Sequence, residues 1–220
     1  TIEVLNAGGY TVHALAPRDG GRPLCCGRTF LASGLVDEAR EELRRLVAAA
    51  LPYVRRGVPL LGVEPSCLLT LRDEAKVVLP GGATEAVAAR AFLVEEFIVA
   101  ERAAGRMRLG LGRVPWRRAL LHGHCHQKAL GAFGPVEAVL RMIPGLEVST
   151  LQSTCCGMGG AFGFHAEHHA ISMRIGESGV LPAVRSADAD TVVVADGTSC
   201  RHQIRDGAAR DSVHAAVVLK

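Results

Sequence analysis

The tripeptide Cys-Cys-Gly occurs twice, at residues 25–27 and 155–157, and each copy is followed at nearly the same distance by one further cysteine, Cys67 and Cys200. Adjacent Cα atoms sit about 3.8 Å apart across a trans peptide, short of the roughly 4.4–6.8 Å that an unstrained disulfide spans. Neighbouring cysteines therefore seldom bond to each other. They can instead present both thiolates on one side of a tight turn, and the glycine lets the backbone approach closely. The natural use is metal binding. The turn after each pair is expected to open a helix whose N-terminal N–H groups lower the thiol pKa values and favour a negatively charged cluster.

Five apolar runs read as strands: Thr11–Ala16, Val58–Val63, Arg118–His122, Leu146–Leu151 and Asp190–Ala195. Between them, recurrence of apolar residues at three and four predicts helices over Leu31–Tyr53, Glu85–Ala104, Gln127–Ile143 and Phe164–Ala183. Strands alternating with helices of this length imply crossover connections and a mainly parallel sheet, an α/β fold. The matched series of cysteine pair, helix, strand and cysteine predicts two tandem pseudo-repeated Rossmann-like units, an incomplete first over 1–113 and a complete second over 114–220. Gly105–Pro115, rich in Gly and Arg, is the expected linker. The second unit has an extra element, the strand into His124-Cys125-His126, whose counterpart would precede Thr1; with Thr rather than Met at the start, this suggests a piece of a longer protein.

Cys125, Cys155, Cys156 and Cys200 all fall where a strand ends or a helix begins, so a parallel sheet gathers them at the carboxyl ends of its strands, where open α/β sheets bind ligands. Four thiolates suffice for a four-iron cluster. Cys25, Cys26 and Cys67 are only three, and zinc completed by a histidine or water is the rival there. Zinc competes less well at the second site, because no C-x-x-C knuckle occurs. His124 and His126 flank Cys125 and are candidates for ligand, proton relay or hydrogen-bond donor, whereas His165, His168 and His169 read as surface residues and His202 is evenly balanced. The run Gly157, Gly159, Gly160, Gly163 is a flexible collar and no dinucleotide fingerprint, since Phe162 stands at the position of the third glycine.

Composition narrows the classes. At 220 residues, 49% hydrophobic and 21% charged, the chain builds a core without disulfides, and its seven cysteines are an odd number. A net charge of +3 with scattered arginines, and few aromatics, argues against nucleic acid. No apolar run approaches the roughly 18–20 residues of a membrane span.

On Cys125-His126-Gln127-Lys128-Ala129, on Cys155-Cys156-Gly157-Met158-Gly159-Gly160-Ala161-Phe162-Gly163 and on Asp196-Gly197-Thr198-Ser199-Cys200-Arg201-His202-Gln203-Ile204, the chain resembles the cysteine-rich CCG-domain family. That family occurs in heterodisulfide reductase, in iron–sulfur subunits of glycolate oxidase and anaerobic glycerol-3-phosphate dehydrogenase, and in lactate-utilisation proteins. The likeness is greatest to the C-terminal iron–sulfur module of FAD-linked 2-hydroxyacid dehydrogenases. The resemblance implies a [4Fe–4S] cluster and electrons arriving from a flavin domain through ferredoxin-type clusters. A quinone or disulfide is the candidate acceptor; the alternative functions are a reductase acting on a disulfide or quinone directly at the cluster and a zinc-stabilised structural module, and the expected location is cytoplasmic, with peripheral placement at the inner membrane included. FAD would reside in the parent protein and not in this segment, so the chain alone is not expected to oxidise a hydroxyacid. The family pattern often ends in C-x-x-C, and Gly197 stands where its first cysteine would be, which favours a four-thiolate site over a five-cysteine non-cubane cluster.

Overall fold

A computed structural model describes residues 1–220 except Asp19, Ser153 and Thr154. The chain divides into two compact units, one of residues 11–94 and one of residues 1–10 with 95–220. Both are α/β.

In the unit of residues 11–94, two short parallel strands, β1 (Leu60–Gly62) and β2 (Ala91–Leu93), pair in the register Leu60↔Ala91 to Gly62↔Leu93. The helix Val36–Val54 carries a buried stripe of Ala39, Leu43, Val47, Ala50 and Val54, a spacing of three and four that keeps one face inward. Val47, Ala50 and Val54 pack with Val87, and Leu15, Leu60 and Leu79 close over them. The helix expected over Leu31–Tyr53 is in fact two, Arg28–Ala32 and Val36–Val54, because Gly34 at φ +77° breaks the first. Thr11–Ala16, expected as a strand, has no regular structure.

The expected helix Glu85–Ala104 also fails as one element. Helix Gly82–Ala88 ends, β2 follows, and a new helix runs Val94–Ala103. Periodicity hid β2 because buried Val87, Ala91, Val94 and Ile98 recur at four, three and four straight through it, and only pairing with β1 decides the outcome.

The larger unit is built on a three-stranded parallel sheet in the order β4 (Glu147–Thr150), β3 (Arg118–His122), β5 (Thr191–Ala195). Here the expected strands form. Register pairs Leu121 with Thr150 and His122 with Ala195, which brings all three carboxyl ends to one edge. β5 is buried at every residue and takes a parallel bridge from Val213 on its far side. Short helices cover the sheet: Cys125–Ala129 and Gly134–Arg141 replace the single helix expected over Gln127–Ile143, and Ala166–Glu177 and Val180–Ser186 replace the one expected over Phe164–Ala183. Gly131 at φ +68° and Gly134-Pro135 separate the first pair. Tyr10 donates to Glu101 at 2.5 Å, tying the N-terminal residues to the helix Val94–Ala103.

No helix among the described residues is long and apolar enough to cross a membrane.

Candidate metal centre

Each strand of the larger sheet ends a few residues before a cysteine. β3 leads to Cys125, the first residue of its helix; β4 leads to Cys155-Cys156; β5 leads to Cys200, in the first turn of the helix Thr198–Ala208. The sheet edge therefore collects four thiols, as the sequence predicts.

They form a continuous series of contacts. Cys125 reaches Cys155, Cys155 reaches its neighbour Cys156, and Cys156 reaches Cys200, each within hydrogen-bond range. Cys156 and Cys200 lie in the apolar cluster of Met158, Val180, Val184, Val193, Ala195 and Ile204, while Cys155 is half-buried and Cys125 exposed. Crowding splits their acidities. Cys155 is pulled below the ordinary thiol range, chiefly because Cys125 and Cys156 hydrogen-bond to it, and Cys200 is pulled well below, chiefly by Cys156. Cys125 and Cys156 are pushed up in turn by the anionic sulfurs they serve. Sulfurs whose hydrogen-bonding partners include one another, two of them deep in an apolar core, are a donor set suited to a soft metal centre.

The cradle is set by glycine. Gly157 stands at φ +99°, and a Cβ there would come within 2.1 Å of the Ser172 carbonyl oxygen. Its N–H points to Cys155 Sγ at 3.3 Å, and Gly159 gives a further backbone hydrogen bond. Gln203 holds the facing helix, Ala166–Glu177, by donating to the Ser172 carbonyl at 3.0 Å. The expectation that a helix opens directly after each pair holds only at Cys25-Cys26, where Gly27 caps the five-residue helix Arg28–Ala32. After Cys155-Cys156 the chain makes a turn and a short 3-10 segment at Phe162–Phe164 before the helix Ala166–Glu177, so loop N–H groups act in place of a helix dipole.

His122 is the residue that sequence reasoning missed. It ends β3, is 1% exposed, and a ring nitrogen lies within 4.8 Å of Cys156 and Cys200 Sγ, with a hydrogen bond to Cys200. The available signal was a polar residue closing a buried strand three positions before a cysteine. His124 faces the same corner: a Cβ on Gly197 would lie 2.3 Å from its Cδ2 and 3.3 Å from Cys200 Sγ, so its ring fills the space beside the missing cysteine position. Its Nδ1 accepts the His126 N–H at 3.2 Å, and Gln127 Oε1 accepts the His124 N–H at 3.1 Å, a reciprocal cap that fixes Cys125 at the helix start. His165 and His169 are exposed, as expected, while His168 stacks on Phe162 at 4.1 Å and His202 meets Phe164 edge-on at 5.7 Å.

In the smaller unit Cys25 is half-buried, Cys26 buried and Cys67 exposed. Cys67 hydrogen-bonds Cys26 and holds that thiol down to about 7, while Cys67 itself is pushed up.

The family model described as "Cysteine-rich domain", CCG, matches residues 119–205. These residues are a cysteine-rich CCG domain. The matched stretch begins in β3 and contains Cys125, Cys155, Cys156 and Cys200. Over 204 residues the chain is 31% identical to a subunit of the anaerobic glycerol-3-phosphate dehydrogenase of Escherichia coli (strain K12), covering 92% of this chain and 49% of that protein. It is 27% identical over 146 residues to lactate utilization protein A of Bacillus velezensis, covering 63% of this chain and 58% of the relative. It is also 27% identical over 150 residues to D-2-hydroxyglutarate dehydrogenase of Escherichia coli (strain K12), covering 68% of this chain and 14% of the relative. The chain thus spans about half the length of the first of these relatives and a small part of the last. The likeness to the glycerol-3-phosphate dehydrogenase subunit reaches beyond the CCG match into the Cys25-Cys26 unit, since 92% of the chain is covered.

Proposed function

We propose that this chain is the iron–sulfur electron-transfer module of a flavin-dependent oxidoreductase, with Cys125, Cys155, Cys156 and Cys200 as the ligands of a [4Fe–4S] cluster. The observation that carries the reading is the unbroken series of four thiols at one sheet edge, with His122 against the buried end. When bound, such a cluster supplies reversible one-electron transfer. The protein's own part is to favour the thiolates of Cys155 and Cys200, to exclude water behind Cys156 and Cys200, and to aim donors at Cys155 from Gly157 and Gly159 and at Cys200 from His122.

The relatives with dehydrogenase names support a redox partner of that kind: a flavin domain, with FAD in the parent protein and ferredoxin-type clusters between, oxidising a 2-hydroxyacid or a glycerol phosphate. The acceptor would be a quinone or a disulfide, and the module would sit in the cytoplasm or peripherally at the inner membrane.

The tandem arrangement, units 1–113 and 114–220, is part of the same proposal and is supported by repeated local geometry. Gly27 and Gly157 both have positive φ, and each donates its N–H to the first sulfur of its pair, at 3.4 and 3.3 Å. Cys67 and Cys200 each occupy the third position of a helix that follows a parallel strand. With three thiols, the Cys25, Cys26, Cys67 site suits zinc as well as iron.

The test is iron and acid-labile sulfide content with an electron paramagnetic resonance spectrum, on protein prepared and reconstituted without oxygen. About four irons and four sulfides per chain, lost on Cys156→Ser, is the expected result. Tightly held zinc without sulfide at the second site, in colourless protein, would replace the electron-transfer reading with a structural one.

A further inference from the structure

Away from the sulfurs, the larger unit buries a second group of donors. Glu95 lies in the first turn of the helix Val94–Ala103, Asp196 follows β5, and His214 precedes the helix Ala215–Val218. Glu95 is 1% exposed, and neither of its carboxylate oxygens has a hydrogen-bond partner among the described residues. Asp196 is equally hidden, but Gln127 donates to its Oδ2 and the Ala215 N–H to its Oδ1, both at 3.0 Å. His214 Nδ1 lies 3.7 Å from Glu95 Oε1 and 3.5 Å from Asp196 Oδ1. That nitrogen accepts the Ala216 N–H at 3.0 Å, a hydrogen bond that a bound cation would replace.

Two carboxylate oxygens and an imidazole nitrogen therefore lie close together. Buried acceptors without a donor are destabilising, and two facing carboxylates more so. Separations of 3.5 and 3.7 Å are close to the about 3.4 Å between donors that share a tetrahedral cation with bonds of about 2.1 Å. We infer that Glu95, Asp196 and His214 form a binding site for a divalent first-row cation, distinct from the cysteine site. One imidazole and two carboxylates suit Mn²⁺, Fe²⁺ or Zn²⁺. The cation would neutralise the two carboxylates and join three elements: the helix Val94–Ala103, the end of β5 and the C-terminal turn. Through Gln127, which also caps the Cys125 helix, the same Asp196 carboxylate braces the cysteine edge.

Absent the cation, burial first and the Asp196 charge second push the Glu95 carboxyl well above its usual range, so a proton is the competing occupant. Glu96 adds repulsion.

Mn²⁺ is the probe, because hard carboxylate donors hold it and thiolates prefer softer ions. Full-length protein is titrated with Mn²⁺ and free ion is followed by electron paramagnetic resonance, with the melting temperature recorded in parallel. One tight Mn²⁺ per chain is expected, with a raised melting temperature. Glu95→Gln should weaken it by about 100-fold or more, beyond the 10–100-fold typical of outer-sphere losses, while Cys156→Ser should leave it intact. If wild-type protein binds no Mn²⁺ and its melting temperature does not move, the site holds only a proton and the inference is overturned. Retention of Mn²⁺ in Glu95→Gln overturns it equally. The wild-type titration decides the first outcome even where the variant fails to fold.

Discussion

Cys200 is where the chemistry of single residues concentrates. Its thiol is buried, receives hydrogen bonds from Cys156 and His122, and has the His124 ring beside it. A donor aimed at a ligand sulfur stabilises the more negative, reduced state, so removing it should lower the potential. His122→Leu is expected to lower the reduction potential of a reconstituted centre by about 65–130 mV, taking a charge-assisted hydrogen bond at about 1.5–3 kcal/mol and one electron. Potentiometric titration followed by the resonance signal reads this directly, and unchanged potential would remove His122 from any role at the centre. Cys155→Ser should abolish metal and sulfide in the larger unit, whereas Cys67→Ser should spare it. Loss of both sites together in Cys67→Ser would mean that they are not independent.

At the scale of elements, the glycine turns bear the weight of the site. Gly157→Ala combines a left-handed φ with a Cβ 2.1 Å from a backbone oxygen that cannot move away cheaply. We expect a loss of about 2–4 kcal/mol, measured as a shift in the urea midpoint. Gly159→Ala has a milder collision, its nearest atom being Phe162 Cβ at 3.3 Å, so only about 1 kcal/mol is expected. Equal costs at the two positions would show that strain alone, and no contact with Ser172, governs the turn. The strands β3 and β5 were legible as bounded apolar runs, and β4 because Val148 and Thr150 alternate with Glu147 and Ser149 between apolar flanks. The helices were legible in place but not in length: Gly34 and Gly131 at positive φ and Gly134-Pro135 cut two of them, β2 interrupts a third and extended Gly179 parts the fourth, and apolar periodicity runs across such breaks without registering them.

Across the whole molecule, the buried carboxylate of Glu95 makes stability depend on pH. With divalent cations chelated away, its folded pKa lies well above the usual carboxylate value, so the stabilisation from holding the proton is complete below about pH 4.5 and fades as pH rises toward the folded value. Chelated wild type should therefore lose melting temperature as pH climbs above the carboxylate range, and Glu95→Gln should flatten that slope. A slope unchanged by the substitution would place its origin elsewhere. The sequence alone determined that cysteines occur in vicinal pairs beside glycine and behind strand ends, because neighbours in the chain cannot escape one another and parallel strands send their carboxyl ends to one edge. Only the tertiary structure decided that His122 joins those sulfurs, that His124 fills the space at Gly197, and that Glu95, Asp196 and His214 meet. These groups come from distant stretches of chain, and no local period or spacing encodes which of them a packed core will leave facing each other.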